Sequence, residues 1–126
     1  MAGLEMAKPI VVVCTRNRPR AVTFYRDTLG LKQTSEDALA AAFDLGGTIM
    51  RLSMVAEFTP HEHTILGFKV EDVAATVVWL RERGVLFNIY PQFEQDQFGI
   101  LRVPGTAIRV AWFNDPDGNV LSLTDA

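Results

Sequence analysis

An internal duplication is the feature that most constrains this chain. Its first half can be overlaid on its second half with a shift of about 55 residues over the first strand and helix, and of about 70 residues after an insertion. The overlay superposes Ile10 on Ile65, Asn17 on Asp72, Gly30 on Gly84, Gly47 on Gly118, and Arg51 on Ser122. Each half is predicted to run strand–helix–strand–strand–strand. Two copies are too few for a solenoid, so we expect an α+β fold of two βαβββ modules.

The first module is predicted from strand periodicity and helix boundary signals. PIVVVCT is short and β-branched, as expected of a buried strand. Asn17 can cap a helix whose first turn holds Pro19, and an apolar stripe along AVTFYRDTLG carries that helix to Gly30. Strands are expected near residues 31–34 and 40–44. The Gly46–Gly47 turn then leads into the strand TIMRLSMV.

The second module follows the polar linker AEFTPHEH. HTILGFKV is predicted as a strand, Asp72 as a helix cap, and VAATVVWLRERG as a helix ending at Gly84. Further strands are expected around VLFNIY, GILRV, AIRVAWFN and NVLSLTD. The extra segment YPQFEQDQFGILRVPGT carries Phe93, Glu94, Asp96 and Phe98. It has two interpretations: a lid over a binding site, or a surface loop packed by its own phenylalanines.

Composition and charge narrow the function class. The 126 residues suit one ordinary domain, and a formal net charge of −3 argues against a nucleic-acid groove. The single cysteine, Cys14, excludes an intrachain disulfide and fits a cytoplasmic location. No apolar stretch approaches the roughly 20 residues of a membrane span, and we expect no signal peptide.

The stretch AWFNDPDGNVLSL resembles a calcium loop because Asp115, Asp117 and Asn119 lie close together. A helix-loop-helix calcium loop, however, has its glycine later and closes with a bidentate glutamate, and neither occurs here. The flanking residues are strand-like, and Asp-Pro with Asp-Gly-Asn favours a tight turn. The stretch is therefore predicted to be a hairpin turn.

FYRDTLGL, WLRERGV and AWFNDPDGNVLSL make the chain resemble the vicinal oxygen chelate superfamily. That superfamily includes glyoxalase I, extradiol dioxygenases, fosfomycin-resistance enzymes and bleomycin-resistance proteins. The resemblance runs from about Pro9 to the end. It implies the glyoxalase/bleomycin-resistance/dioxygenase fold in one domain, with modules at about residues 8–56 and 64–126. It also implies a curved sheet around a pocket, and a homodimer.

The same resemblance places four metal ligands in metal-using members, one on the first and one on the last strand of each module. Those positions correspond here to Ile10, Arg51, Ile65 and Ser122. Isoleucine offers no lone pair and the arginine charge repels a cation, so we expect neither a metal nor another cofactor. An alternative is a displaced metal site at His61 and His63, just before the strand that carries Ile65. The other interpretation of these histidines is a solvent-exposed linker.

Period-2 alternation predicts which residues line the pocket. It places Ile10, Val12 and Cys14 on one face of the first strand, with Ile49, Arg51 and Ser53 on the fourth. The same count places Ile65, Gly67 and Lys69 on this face of the first strand of the second module, and Val120, Ser122 and Thr124 on this face of its last strand. The resemblance adds Trp112 as a pocket-lining residue.

Each candidate has two interpretations. Arg51, assisted by Lys69, either anchors an anionic ligand or forms a structural salt bridge to a carboxylate. Trp112 either stacks on a planar ligand or fills the core. Cys14 is either a nucleophile or a small buried residue, and Ser122 has no G-x-S-x-G context for nucleophilic chemistry.

We therefore expect a protein that binds a small organic molecule in a pocket without the family's metal ligands. Organic anions are among the expected ligands. The alternative is a metal-dependent, glyoxalase-like lyase or a dioxygenase with a displaced metal site, and a third is a partner-binding domain. Neither nucleic acid nor membrane is expected as a partner.

Overall fold

The computed structural model describes residues 3–126, and these form two compact units. The boundary falls between Phe58 and Thr59, inside the segment predicted as a linker. Each unit contains one of the predicted βαβββ modules. That the two modules together make a single domain stays a prediction.

The first unit has the predicted order of elements, and it is a four-stranded sheet with one helical segment. Its strand order is β1-β4-β3-β2; β1 runs parallel to β4 and the other pairs are antiparallel. The elements are β1 (Ile10–Thr15), α1 (Arg18–Thr23), β2 (Lys32–Glu36), β3 (Ala40–Asp44) and β4 (Ile49–Met54).

The first helix departs from the prediction in its second part. The Asn17 side chain accepts a hydrogen bond from Arg20 N at 3.2 Å, as expected of a cap. Residues Phe24–Thr28 then form a π-helical turn, in which Leu29 N donates to Phe24 O, five residues back. Tyr25, in this turn, is fully buried against Phe43. The apolar stripe predicted helix correctly but could not separate α from π spacing, because both bury a residue at this position.

The second unit repeats the architecture with the strand order β5-β8-β7-β6, again with a parallel outer pair. The Asp72 carboxylate accepts from Ala75 N at 2.9 Å and caps its helix, as predicted. No helix among residues 3–126 has the length and apolar character needed to cross a membrane. The elements are β5 (Thr64–Lys69), α2 (Val73–Arg81), β6 (Leu101–Arg102), β7 (Arg109–Asn114) and β8 (Val120–Thr124).

The predicted strand around VLFNIY is wrong. Only Phe87 makes a bridge, to Phe113 of β7, and Asn88 N donates to Trp112 O. Beyond this point the Gln95 side chain takes the place of a neighbouring strand. It accepts from Tyr90 N at 2.7 Å and donates to Asn88 O and Gly99 O, both at 2.8 Å. Backbone groups that already bond to a side chain do not need hydrogen bonds from a neighbouring strand. The periodicity of the segment could not reveal this role of Gln95.

The strand register agrees with the duplication at the central positions of the two sheets. Arg51 pairs with Val12 on one side and with Ala42 on the other. Its counterpart Ser122 pairs with Gly67 and Trp112. The two modules therefore place equivalent residues at equivalent points of their sheets.

One irregularity breaks this symmetry. Between β5 and β8 the register runs from Thr64↔Val120 directly to Leu66↔Leu121, so Ile65 is an extra, bulged residue. In the first unit the equivalent residue Ile10 pairs regularly with Ile49. The bulge interrupts simple alternation and brings Thr64 opposite Val120, whereas Gly67 and Lys69 pair with Ser122 and Thr124.

The stretch at residues 115–119 is a self-contained turn, as predicted. Asp115 is buried, and its Oδ1 accepts from the backbone N–H groups of Asp117 and Asn119, both at 2.9 Å. Its Oδ2 accepts from Asn119 Nδ2 at 2.8 Å. Gly118, at φ 92°, supplies the left-handed conformation that the turn requires. The carboxylate that a calcium ion would use is thus engaged in holding the loop.

We predict that Asp115→Ala destabilises the protein by about 3 kcal/mol, because it leaves buried N–H donors without an acceptor. Asp44 is the matched control. It occupies the corresponding turn of the first unit and accepts one backbone bond, from Gly47 N at 2.8 Å. Asp44→Ala should cost about 1 kcal/mol. Urea unfolding of both variants measures the difference, and equal costs would contradict the role given to Asp115.

Candidate functional site

The predicted site residues divide between the two units. Ile10, Cys14 and Arg51 belong to the first unit. Lys69, Trp112 and Ser122 belong to the second unit with the bulged Ile65, as do the two histidines His61 and His63.

In the first unit the predicted face exists. Ile10, Val12 and Cys14 of β1 lie opposite Ile49, Arg51 and Ser53 of β4. Exposure decreases along β1. Ile10 and Val12 are 55% and 59% exposed, whereas Cys14, further along the strand, is half-buried. The face is therefore apolar, with Arg51 as the charged group between β1 and β3.

Arg51 forms the salt bridge that was one of its two interpretations. Its Nη2 donates to Asp37 Oδ2 at 3.1 Å. The other oxygen of Asp37 accepts from the backbone N–H groups of Leu39 and Ala40, at 2.8 and 2.9 Å. Asp37 therefore ties the β2–β3 turn to β4, and the Arg51 charge already faces a carboxylate.

In the second unit a row of residues crosses three strands. Gly67 of β5 pairs with Ser122 of β8, and Ser122 pairs with Trp112 of β7. A Cβ atom at position 67 would stand 3.0 Å from Ser122 Oγ. The glycine therefore leaves room above the hydroxyl group, and the centre of this face is recessed next to the indole.

A cavity of about 300 Å³ opens beside Trp112, and we call it the second-unit cleft. One wall comes from the segment before β5, the other from the segment after the Phe87 bridge, and the floor from β7 and β8. A further space of about 690 Å³ continues it over the β7–β8 turn. The cleft is lined by Glu62, His63, Thr64, Tyr90, Gln92, Phe93, Trp112 and Val120.

Three aromatic rings dominate this cleft. Phe93 stacks on Trp112 with ring centroids 5.5 Å apart and an angle of 14° between the planes. Tyr90 stands nearly perpendicular to Trp112, at 5.5 Å and 82°, and to Phe93, at 6.2 Å and 84°. Trp112 is half-buried and Phe93 is 42% exposed, so part of the cluster faces solvent. Such a surface is typical of small-molecule sites.

Phe93 lies on the segment that was interpreted either as a lid or as a surface loop. The base of this loop is fastened by the three bonds of Gln95 and by Asp96 Oδ1, which accepts from Phe98 N and Ile100 N. The tip, residues 91–94, is exposed, and Phe93 N donates to Tyr90 O at 3.0 Å. The loop thus combines a fixed base with an exposed aromatic tip that covers the indole.

His61 and His63 lie beside each other with their rings stacked, 4.8 Å between centroids and 26° between planes. Stacked rings direct their nitrogen lone pairs within nearly parallel planes rather than toward one point. Across residues 3–126, no three His, Cys, Asp or Glu side chains come together as a possible metal site. Nor do the side chains of Ile10, Arg51, Ile65 and Ser122 fit a divalent cation, since they offer one neutral hydroxyl group among them.

A larger depression, of about 850 Å³, lies around the loop between β6 and β7. It shares Gln92 and Phe93 with the second-unit cleft but is lined by none of the predicted site residues. We therefore take the smaller cleft, which contains Trp112, as the candidate site.

Some cleft residues escaped the sequence analysis. Thr64 was missed because a bulge cannot be read from alternation. Tyr90 was assigned to a strand, Glu62 to the polar linker, and Gln92 to the extra segment of the second module. The one available signal was the concentration of aromatic residues in the extra segment of the second module, which did identify Phe93.

Comparison with known proteins places this architecture in a family. The model of the Glyoxalase/Bleomycin resistance protein/Dioxygenase superfamily matches residues 9–123. The chain belongs to this superfamily. The superfamily assignment confirms the fold expected from the resemblance, with its two mixed four-stranded sheets.

Individual proteins are similar to this chain in sequence or in structure. The uncharacterized protein YraH of Bacillus subtilis (strain 168) is 31% identical over 119 residues, covering 82% of this chain and 86% of that protein. An integron cassette protein from the mobile metagenome of Halifax Harbour Sewage Outfall has a TM-score of 0.76 at 20% identity, covering 96% of this chain and 99% of that chain. The glyoxalase family protein from Enterococcus faecalis has a TM-score of 0.70 at 20% identity, with 95% and 96% covered. At these identities the two structures show the fold alone.

The Asp37 turn gives a prediction about acid stability. Hydrogen bonds from Leu39 N, from Ala40 N and then from Arg51 lower the pKa of the Asp37 carboxyl from 3.8 to about 2. Because protonation is harder in the folded state, the contribution of Asp37 to stability is present above pH 3.8 and is lost as the pH falls toward 2. In Asp37→Asn, the midpoint of urea unfolding should therefore depend less on pH in this range than it does in the unsubstituted protein.

Arg51→Gln is the informative comparison for that experiment. The backbone donors are the larger cause of the lowered pKa, so Arg51→Gln should keep most of the pH dependence that Asp37→Asn removes. If both variants flattened the curve equally, the salt bridge rather than the turn would control the carboxyl group.

Proposed function

We propose that this protein binds a small organic molecule in the second-unit cleft and does so without a metal ion. The observation that carries the proposal is the aromatic cluster of Tyr90, Phe93 and Trp112, which lines a cavity of about 300 Å³ together with a few polar side chains. A concave, mainly apolar surface with a small number of polar groups is the usual form of a ligand site.

The absence of a metal requirement is supported by side-chain chemistry. The positions that carry ligands in metal-using members hold Ile10, Arg51, Ile65 and Ser122. Arg51 is paired with Asp37, and Ser122 lies on the recessed part of the face beside Trp112. We propose that the chain has lost the ligand set of the superfamily and has kept the cavity.

The predicted anionic anchor receives less support. Arg51 pairs with Asp37 across 3.1 Å, which favours its structural interpretation. Lys69 lies at the opposite end of β5 from Thr64, about 16 Å along the strand from the cleft. Direct ligand contacts by Arg51, Lys69, Ile10, Ile65, Cys14 and Ser122 therefore stay predictions, and Trp112 is the ligand-binding candidate that lines the cleft.

The alternative function is a metal-dependent lyase or dioxygenase whose site is displaced to His61 and His63. Both histidines line cavities in the second unit, which keeps this alternative open. We rank it second because their rings stack on each other. A metal-binding pair would have to separate and turn its nitrogens toward a shared ion.

We predict that two- or three-ring aromatic compounds bind with 1:1 stoichiometry and quench Trp112 fluorescence. The chain has two tryptophans, so a Trp79→Phe background makes the emission report on Trp112 alone. Affinity should be unchanged in excess EDTA, because no metal takes part in binding. Binding that disappears in EDTA and returns with added metal would favour the displaced-site enzyme.

A pair of tryptophan substitutions locates the site. Trp112→Leu should weaken binding at least about tenfold in calorimetric titrations, since it removes the main stacking surface. Trp79→Leu is the control, because Trp79 lies on α2 under the Arg83 guanidinium and outside the cleft. Equal losses from the two substitutions would place the ligand elsewhere.

The predicted homodimer and cytoplasmic location stay predictions. Light scattering coupled to gel filtration measures the first, and cell fractionation measures the second.

A further inference from the structure

The charge of the cleft specifies a class of ligand. Glu62 is the one aspartate, glutamate, lysine or arginine among the described residues that line the second-unit cleft or its 690 Å³ extension. The remaining polar groups there include the imidazoles of His61 and His63 and the side-chain amides of Asn88 and Gln92. A carboxylate that lines the same cleft as an indole favours a positively charged ligand, since the negative face of an aromatic ring also attracts cations.

The ring geometry specifies the shape of that ligand. Phe93 and Trp112 are nearly parallel, 14° apart, with Tyr90 closing one end at right angles. Their centroids are 5.5 Å apart, so the ring planes are separated by no more than this distance. A flat molecule between two rings needs the planes to be about 7 Å apart, twice the usual contact distance. Phe93 therefore has to move by an ångström or more to admit a third ring.

The hydrogen bonds of the loop that carries Phe93 are compatible with such a movement. Its base is held by Gln95 and Asp96, whereas the backbone bond that holds Phe93 itself, to Tyr90 O, lies within the same short turn. The tip can shift outward while the Gln95 bonds stay intact. A displaced phenylalanine would regain contact by stacking on the outer face of the ligand.

Building on the proposed function, we propose that the second-unit cleft takes a flat aromatic cation between Phe93 and Trp112, with Glu62 facing its charge. The inference gives the site a ligand class that differs from the anion expected from Arg51. It also assigns Phe93 a direct role as one side of the stack.

The test uses three probes that share one ring system and differ in charge: 10-methylacridinium, neutral acridone, and acridine-9-carboxylate. Each is titrated into the full chain carrying Trp79→Phe, and quenching of Trp112 gives the dissociation constant. We expect the cation to bind at least about fivefold more tightly than either of the other probes, the effect of roughly 1 kcal/mol from a solvent-exposed charge pair. Added salt should reduce the difference in affinity between the cation and the other two probes.

Two substitutions examine the two parts of the inference. Glu62→Gln should remove most of the preference for the cation over acridone, because it removes the negative charge and keeps the size of the side chain. Glu71→Gln, an exposed carboxylate outside the cleft, is the matched control and should change nothing. Phe93→Ala should weaken all three probes about tenfold, because each loses one stacking partner.

The outcomes separate this inference from the proposed function. Tighter binding of the anion, or a cation preference that survives Glu62→Gln, overturns the ligand class and leaves a binding site in place. Tighter binding after Phe93→Ala would show that Phe93 blocks the site instead of completing it. If none of the three probes quenches Trp112, both the inference and the proposed site fail.

Discussion

The parallel pairing of the first and last strands of each module is the constraint on which the rest of this structure depends. β1 cannot lie parallel to β4, nor β5 to β8, unless the chain crosses over between them, and a helix follows the first strand in both modules. The pairing also fixes which side chains share a face. It sets Val12 beside Arg51 in one sheet and Gly67 beside Ser122 in the other.

On this shared framework the two modules differ at the residues of the candidate site. The first presents apolar β1 residues around an arginine that is already paired with Asp37. The second has a bulge at Ile65, a glycine that recesses the face above Ser122, and a longer connection that brings two aromatic rings to Trp112. The buried Asp115 turn supports this arrangement, because it joins the strand that carries Trp112 to the strand that carries Ser122.

Most of the fold could be predicted from the sequence because its signals are local. Asn17 and Asp72 cap helices, glycines at positions 30 and 84 end helical segments, and the Asp115 turn forms from its own side chains. The errors arise where a distant or irregular interaction decides the outcome. Gln95 replaces a strand partner for residues 88–90, and the Ile65 bulge shifts the register by one residue. Trp112 lines the cleft together with Tyr90 and Glu62, and these two neighbours depend on the path of two connections that have no periodicity.

The measurement that tests the central claim most directly is the metal content of untagged protein. The protein would be equilibrated with nickel, zinc, manganese and ferrous iron, passed through gel filtration, and analysed by mass spectrometry of the elements. A site that lacks its ligand set should retain well below one ion per chain under every condition. About one tightly held ion per chain would contradict the account, and would make His61 and His63 the first residues to replace.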